Sequence, residues 1–139
     1  MSPVFYQHAA VPTRDELVEL YESVGWSAYT CDPALLEAAV NASLAVVTAR
    51  LDDKLIGLAR LVGDGLTIVY LQDILVSPDH QRRGVGGELF QRLFAPYSNV
   101  RQKVLITDDE QAQRAFYEAM GFTEIGDLEP PGRSFVRFG

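Results

Sequence analysis

The spacing of apolar residues along this chain changes several times, and each change marks an element. A short strand, Val4-Phe5-Tyr6-Gln7, comes first. Thr13-Arg14-Asp15-Glu16 has the form of a capping box, and Leu17, Leu20, Tyr21 and Val24 then recur at helical spacing up to Gly25. Asp32-Pro33 places an N-cap and a first-turn proline at the head of a second helix reaching about Asn41. Between the two helices, Gly25-Trp26-Ser27-Ala28-Tyr29-Thr30 reads as a loop with two aromatics. Leu44 to Leu51 and Leu55 to Val62 flank Asp52-Asp53-Lys54 as a hairpin, and Gly63-Asp64-Gly65 turns into a long strand ending at Val76.

Beyond that strand Val85, Leu89, Phe90, Leu93 and Phe94 mark one face of a helix. Gln102 to Thr107 is a further strand. A last helix runs from about Glu110 to Met120 with Ala112, Ala115, Phe116, Ala119 and Met120 inward, and Gly121 stands at its stop. Two short strands, Thr123 to Asp127 and Ser134 to Phe138, surround Pro130-Pro131-Gly132. The expected fold is mixed α/β (α+β): one domain over residues 1–139, with a central, largely antiparallel sheet flanked by helices.

Composition narrows the function. The 139 residues suffice for a core without metals or disulfides, and the single cysteine, Cys31, excludes an internal disulfide framework. A formal net charge of -7 argues against a non-specific nucleic-acid binder and suits a cationic partner. No apolar run approaches the ~20 residues that span a bilayer, and no signal-peptide pattern opens the chain, so a cytoplasmic protein without membrane contact is expected. His8 and His80 fit no metal-ligand spacing, and no metal is expected.

The densest chemistry lies in Gln81-Arg82-Arg83-Gly84-Val85-Gly86-Gly87, between the long strand and the helix after it. Free N–H groups at a helix start point at an anion, and the helix dipole adds to them. Gly84 and Gly86 let the backbone come close to a ligand, and Arg82 and Arg83 can add charge-assisted bonds to phosphate oxygens. A Walker loop would require Gly-Lys-Ser or Gly-Lys-Thr, which does not occur. A dinucleotide loop would require a third glycine where the chain reads Leu89.

Val76-Ser77-Pro78-Asp79-His80-Gln81-Arg82-Arg83-Gly84-Val85-Gly86 resembles the acyl-CoA pyrophosphate loop of the GNAT superfamily of N-acetyltransferases. Ala115-Phe116-Tyr117-Glu118-Ala119-Met120-Gly121-Phe122 resembles that family's Phe-Tyr-Glu-x-x-Gly-Phe segment, in the family's order. The resemblance covers about Leu44 to Asp127 and implies an enzyme moving an acetyl group from acetyl-CoA, as cosubstrate, to a primary amine of a small molecule or of a protein or peptide. It implies that main-chain groups of Ile74, Leu75 and Val76 run beside the pantetheine, with an N–H near Leu75 at the thioester oxygen. Gln81, Arg82, Arg83, Gly84, Val85, Gly86 and Gly87 would hold the pyrophosphate. It also implies that Tyr117 protonates the departing thiolate, and that Trp26, Tyr29, Tyr70 and Gln72 line the acceptor side. The family often has Asn where this chain has Glu110, which leaves Arg114 as a substitute contact to the cofactor arm.

Asp73 is the candidate general base. Strict alternation puts it on one face with Val69, Leu71 and Leu75, where apolar neighbours would raise its pKa, and puts Tyr70 and Gln72 on the other. Pairing of Asp73 with an arginine such as Arg60 is the competing reading. Cys31 precedes a helix start, but Asp32 beside it opposes activation of the thiol. A catalytically silent acyl-CoA-binding module is the alternative function, and an exposed edge after the fifth strand leaves room for a homodimer.

Overall fold

A computed structural model describes residues 2–139, and their contacts form two compact units, one ending at Ile106 and the other Thr107–Gly139. The first unit holds a five-stranded sheet in the order β1 (Phe5–His8), β2 (Ala45–Leu51), β3 (Lys54–Gly63), β4 (Ile68–Val76) and β5 (Gln102–Leu105). The first four strands run antiparallel, and β5 lies parallel to β4. A parallel neighbour needs a crossover, which is supplied by the helix α4 (Val85–Phe94) between β4 and β5. The mixed, mainly antiparallel architecture expected from the apolar pattern is the one observed.

Helices α1 (Arg14–Ser23) and α3 (Pro33–Asn41) start where local chemistry says they should. Thr13 accepts from the Glu16 N–H (3.2 Å) while Glu16 accepts from the Thr13 N–H (3.0 Å), a complete capping box. Asp32 accepts from the Leu35 N–H (3.2 Å), with Pro33 in the first turn. The connecting stretch, expected as loop, contains a single helical turn, α2 (Ser27–Thr30). Leu17, Leu20 and Tyr21 of α1 and Leu36 and Val40 of α3 bury against Val46, Leu55, Leu58 and Leu75 of the sheet. Each such side chain withdrawn from water contributes about 1.5–3 kcal/mol.

The other face of the sheet carries α4, which buries Val85, Leu89, Phe90, Leu93 and Phe94. The approach is close: a Cβ on Gly57 would lie 3.0 Å from Leu89 Cδ1. Gly57 therefore admits the helix to the sheet. Among the described residues no helix is long and apolar enough to cross a membrane.

The second unit contains α5 (Gln111–Ala119) and a tail. Two expectations fail there. The inward face predicted for α5 was Ala112, Ala115, Phe116, Ala119 and Met120; the three alanines are exposed, and Tyr117 is the buried residue. The two tail strands do not form. Ile125–Asp127 is a 3-10 turn, and residues 134–138 have no regular structure, with Phe135 and Phe138 exposed. Instead the tail folds on itself: the Ile125 carbonyl accepts from the N–H groups of Leu128 (3.4 Å) and Gly132 (3.0 Å). A Cβ on Gly132 would come within 2.7 Å of the Ile125 side chain. Strand-forming composition without a partner edge does not make a strand.

Glu16 ties α1 to the sheet through Arg50 (2.5 and 3.1 Å), and this bond, ahead of its other contacts, lowers its pKa from 4.5 to about 2. A depressed carboxylate pKa stabilises the fold fully above its unfolded value and loses that contribution as pH falls through the folded one. Thermal unfolding followed from pH 6 to pH 2 should therefore show a stability loss between about 4.5 and 2 that is smaller in Glu16→Gln. Identical pH profiles would remove Glu16 from that role.

Candidate active site

The site is built on a defect in β4. Arg60 of β3 stands opposite Asp73, yet Leu61, the next residue, stands opposite Leu71. Gln72 is thus the extra residue of a β-bulge, which breaks the alternation of side chains across the sheet. Leu61 and Leu71 face one way, and Arg60 and Asp73 face the other, toward α1, α2 and α3. This corrects the sequence-based placement of Asp73 on the face of Val69 and Leu71. It also corrects the separation of Asp73 from Tyr70 and Gln72.

Asp73 is 3 % exposed and its surroundings are polar, not apolar. Its Oδ2 accepts from Arg60 Nε (2.5 Å) and from the Tyr21 hydroxyl (2.9 Å), and its Oδ1 accepts from the Tyr29 hydroxyl (2.8 Å). The pairing alternative weighed for this residue is therefore the arrangement present, and the premise of a carboxylate isolated among apolar groups does not hold. Arg60 also donates to Ser43 Oγ (3.2 Å) and the Ala39 carbonyl (3.4 Å). Burial alone would lower the guanidinium's pKa; the charge and hydrogen bond of Asp73 outweigh it and raise it. Burial, reinforced by the charge of Asp73, raises the pKa of Tyr21 and Tyr70. Burial likewise raises that of Tyr29, against a hydrogen bond from Gln72 that lowers it.

Three of the four residues expected on the acceptor side are in direct sequence of contact. Trp26 and Tyr29 have ring centroids 6.1 Å apart, and Gln72 Nε2 donates to the Tyr29 hydroxyl at 3.0 Å. Tyr70 shares their face of the sheet. Tyr21 was legible only as a core residue, because nothing in an apolar helical stripe shows that its hydroxyl will reach a carboxylate 52 positions away.

The far end of β4 is open on one side. Its ladder with β5 ends at Leu71–Leu105, while its ladder with β3 continues to Val76. Residues 73–76 therefore pair with β3 only, and Gln72 pairs with neither neighbour. The Ser77 N–H donates to the Ile56 carbonyl (2.8 Å), so by alternation the main-chain groups of Leu75 point to β3 and those of Ile74 and Val76 point away from it. The N–H groups turned away from β3 here are therefore those of Ile74 and Val76, not that of Leu75. Gln81 Nε2 donates to the outward Val76 carbonyl (3.0 Å), and Ser77 Oγ and His80 Nδ1 lie 2.9 Å apart, which together fix the turn after the strand. Arg82, at φ 64°, and Arg83 are exposed.

Gly84 occupies the N-cap of α4 at φ 81°, in the left-handed region, and no side chain caps the helix. A Cβ there would meet nothing within 4 Å, so the glycine answers to backbone conformation and leaves the helix start uncovered. In the second unit, burial raises the pKa of Tyr117, against a hydrogen bond from Thr107 that lowers it. Glu110 is the N-cap residue of α5 and makes no capping bond through its side chain. Arg114 is held by Glu118 (3.2 Å), Glu124 and Asp127 (2.9 Å), so its charge is already matched by carboxylates.

The model of the acetyltransferase (GNAT) domain matches residues 42–124. The chain belongs to the GNAT family. A GNAT-family acetyltransferase from Streptococcus pneumoniae is 29% identical, with a TM-score of 0.83 over 97% of this chain and 98% of that one. An uncharacterized N-acetyltransferase from Prochlorococcus marinus is 30% identical over 120 residues, which are 84% of this chain and 64% of that protein's length. An aminoglycoside N-acetyltransferase solved in complex with CoA shares the fold, with a TM-score of 0.75 over 100% of this chain and 96% of that one, at 18% identity. This GNAT chain thus carries the family's sheet and crossover helix, with a bulged β4 and a buried ion pair beside it.

Removing one member of a buried pair leaves an unmatched charge and costs about 3–5 kcal/mol. Urea unfolding should show Arg60→Leu and Asp73→Leu each destabilised by about that amount, and the double variant destabilised by clearly less than their sum. Additive losses would mean that the two side chains do not depend on each other.

Proposed function

We propose that the protein is an N-acetyltransferase that takes the acetyl group of acetyl-CoA directly to a primary amine. The observation that carries this reading is the conjunction at one end of β4: main-chain groups of Ile74 and Val76 turned off the sheet, followed by an uncapped helix start at Gly84. The pantetheine arm would run along that open edge, and an outward N–H would polarise the thioester carbonyl. Main-chain amides from Gly84 to Gly87 would take the pyrophosphate, with Arg82 and Arg83 adding charge. The amine would approach from Trp26, Tyr29, Tyr70 and Gln72. Holding the two reactants together supplies much of the rate.

Tyr117 is the proposed acid for the departing thiolate. A phenol carries its proton at neutral pH, as that role requires, and burial makes Tyr117 hold that proton more tightly still. This assignment rests on the Phe116-Tyr117 segment's likeness to the family's. Asp73 is recast from base to positioning residue, since Arg60, Tyr21 and Tyr29 already occupy its oxygens. The amine's proton would then leave through water on the side of Tyr70 and Gln72.

Calorimetry with CoA, together with thiol release from acetyl-CoA over a panel of amines, tests the reading. Gly86→Val and the double variant Arg82→Ala, Arg83→Ala should each weaken CoA binding about ten-fold, a loss of one charge-assisted contact or its equivalent. Tyr117→Phe should bind CoA as before and turn over at least about ten-fold more slowly. CoA binding without thiol release from any amine would identify an acyl-CoA-binding module instead. Unchanged turnover in Tyr117→Phe would remove the acid.

A further inference from the structure

The direction of the hydrogen bonds around Asp73 says what kind of amine the acceptor side favours. Both oxygens of Asp73 act as acceptors here: Oδ2 takes Arg60 Nε at 2.5 Å, and Oδ1 takes the Tyr29 hydroxyl. The single proton of the Tyr29 hydroxyl is therefore committed inward, to Oδ1 at 2.8 Å. Toward its other neighbour Tyr29 offers a lone pair, so Gln72 must meet it with Nε2, at 3.0 Å. The amide's orientation is thus set by Asp73 through Tyr29, and Oε1 is the end left for a ligand. Gln72 is exposed, so that oxygen reaches solvent. The bulge is what lets Gln72 and Asp73, adjacent in a strand, meet the same hydroxyl.

Gln72 is bonded to the hydroxyl of the half-buried Tyr29, whose ring centroid lies 6.1 Å from that of the half-buried Trp26, and aromatic faces attract cations. The Arg60 guanidinium, 6.0 Å from the centroid of the Tyr29 ring, is paired with Asp73 and only 5 % exposed, so a cation from solvent would meet the outer side of that ring.

We infer that Gln72, oriented by Asp73 through Tyr29, selects acceptors that carry an alkylammonium group and discriminates against acceptors with a carboxylate next to the amine. The inference rests on the proposed acetyl transfer and adds the class of acceptor. Gln72 and Tyr29 are its specificity residues, and Asp73 positions them.

The test compares 1,4-diaminobutane with an α-amino acid of similar length, by binding to the CoA-loaded protein and by thiol release. The wild type should favour the diamine. Tyr29→Phe and Gln72→Leu should each weaken the diamine about five-fold, in Kd and in KM, leave the KM for acetyl-CoA unchanged, and shrink the preference. Gln72→Glu, which keeps an outward acceptor and adds charge, should strengthen the diamine. Tyr21→Phe, which cuts a bond to the same carboxylate from the core side, should lower the thermal midpoint and leave the preference alone. Diamine affinity unchanged in Tyr29→Phe and Gln72→Leu, or an equal preference for the amino acid, overturns the inference while leaving acetyl transfer standing. Failure of the wild type to bind CoA overturns the transferase reading, and this inference with it.

Discussion

A buried guanidinium and carboxylate, bridged by 2.5 Å inside a sheet, constrain everything around them. Neither charge survives in the interior without the other, and the pair keeps its place because its remaining hydrogen-bonding capacity is also used. Tyr21, from α1, and Tyr29, from α2, both donate to Asp73, while Ala39 and Ser43, at the end of α3, accept from Arg60. One ion pair therefore pins three helices to two strands. The extra residue in β4 makes the arrangement possible, since without it Leu71 and Asp73 would share a face.

The same strand does two jobs in succession. Up to Leu71 it is an interior strand, paired on both sides; from Asp73 onward it is paired only with β3. The bulge coincides with the change. Beyond it, alternate main-chain groups of Ile74 and Val76 are turned off the sheet, and the chain leaves through a turn braced by Gln81 on the Val76 carbonyl. A left-handed glycine then starts α4 without a cap. A charged acyl carrier and an amine would thus meet at a single strand whose irregularity serves both, one at its edge and one at its face.

How much of this was legible in the sequence follows from how local each signal is. The capping box at Thr13 and Glu16, the N-cap at Asp32 and the stop at Gly25 are set within a few residues, and their positions hold. The hairpin at Asp52 and Asp53 and the apolar stripe of α4 are local too. The bulge is not, because a single extra residue leaves no mark on composition, and a one-residue slip reverses every side chain beyond it. That is why Asp73, Tyr70 and Gln72 were read on the wrong sides of the sheet. The available clue was a charge of each sign, Arg60 and Asp73, inside neighbouring apolar strands. The tail failed for the opposite reason: Ser134 to Phe138 alternates like a strand, but pairing depends on an edge elsewhere. In α5 small alanines mimicked a buried stripe, while Tyr117 holds the buried position.

The most direct measurement is a crystal structure of the protein with CoA joined through its sulfur to 1,4-diaminobutane. The diphosphate should lie on the main-chain N–H groups of Gly84, Val85, Gly86 and Gly87, and the free ammonium against Gln72 Oε1 on the Asp73 side of the sheet. A diphosphate bound elsewhere, or an ammonium on the face that carries α4, would contradict this placement.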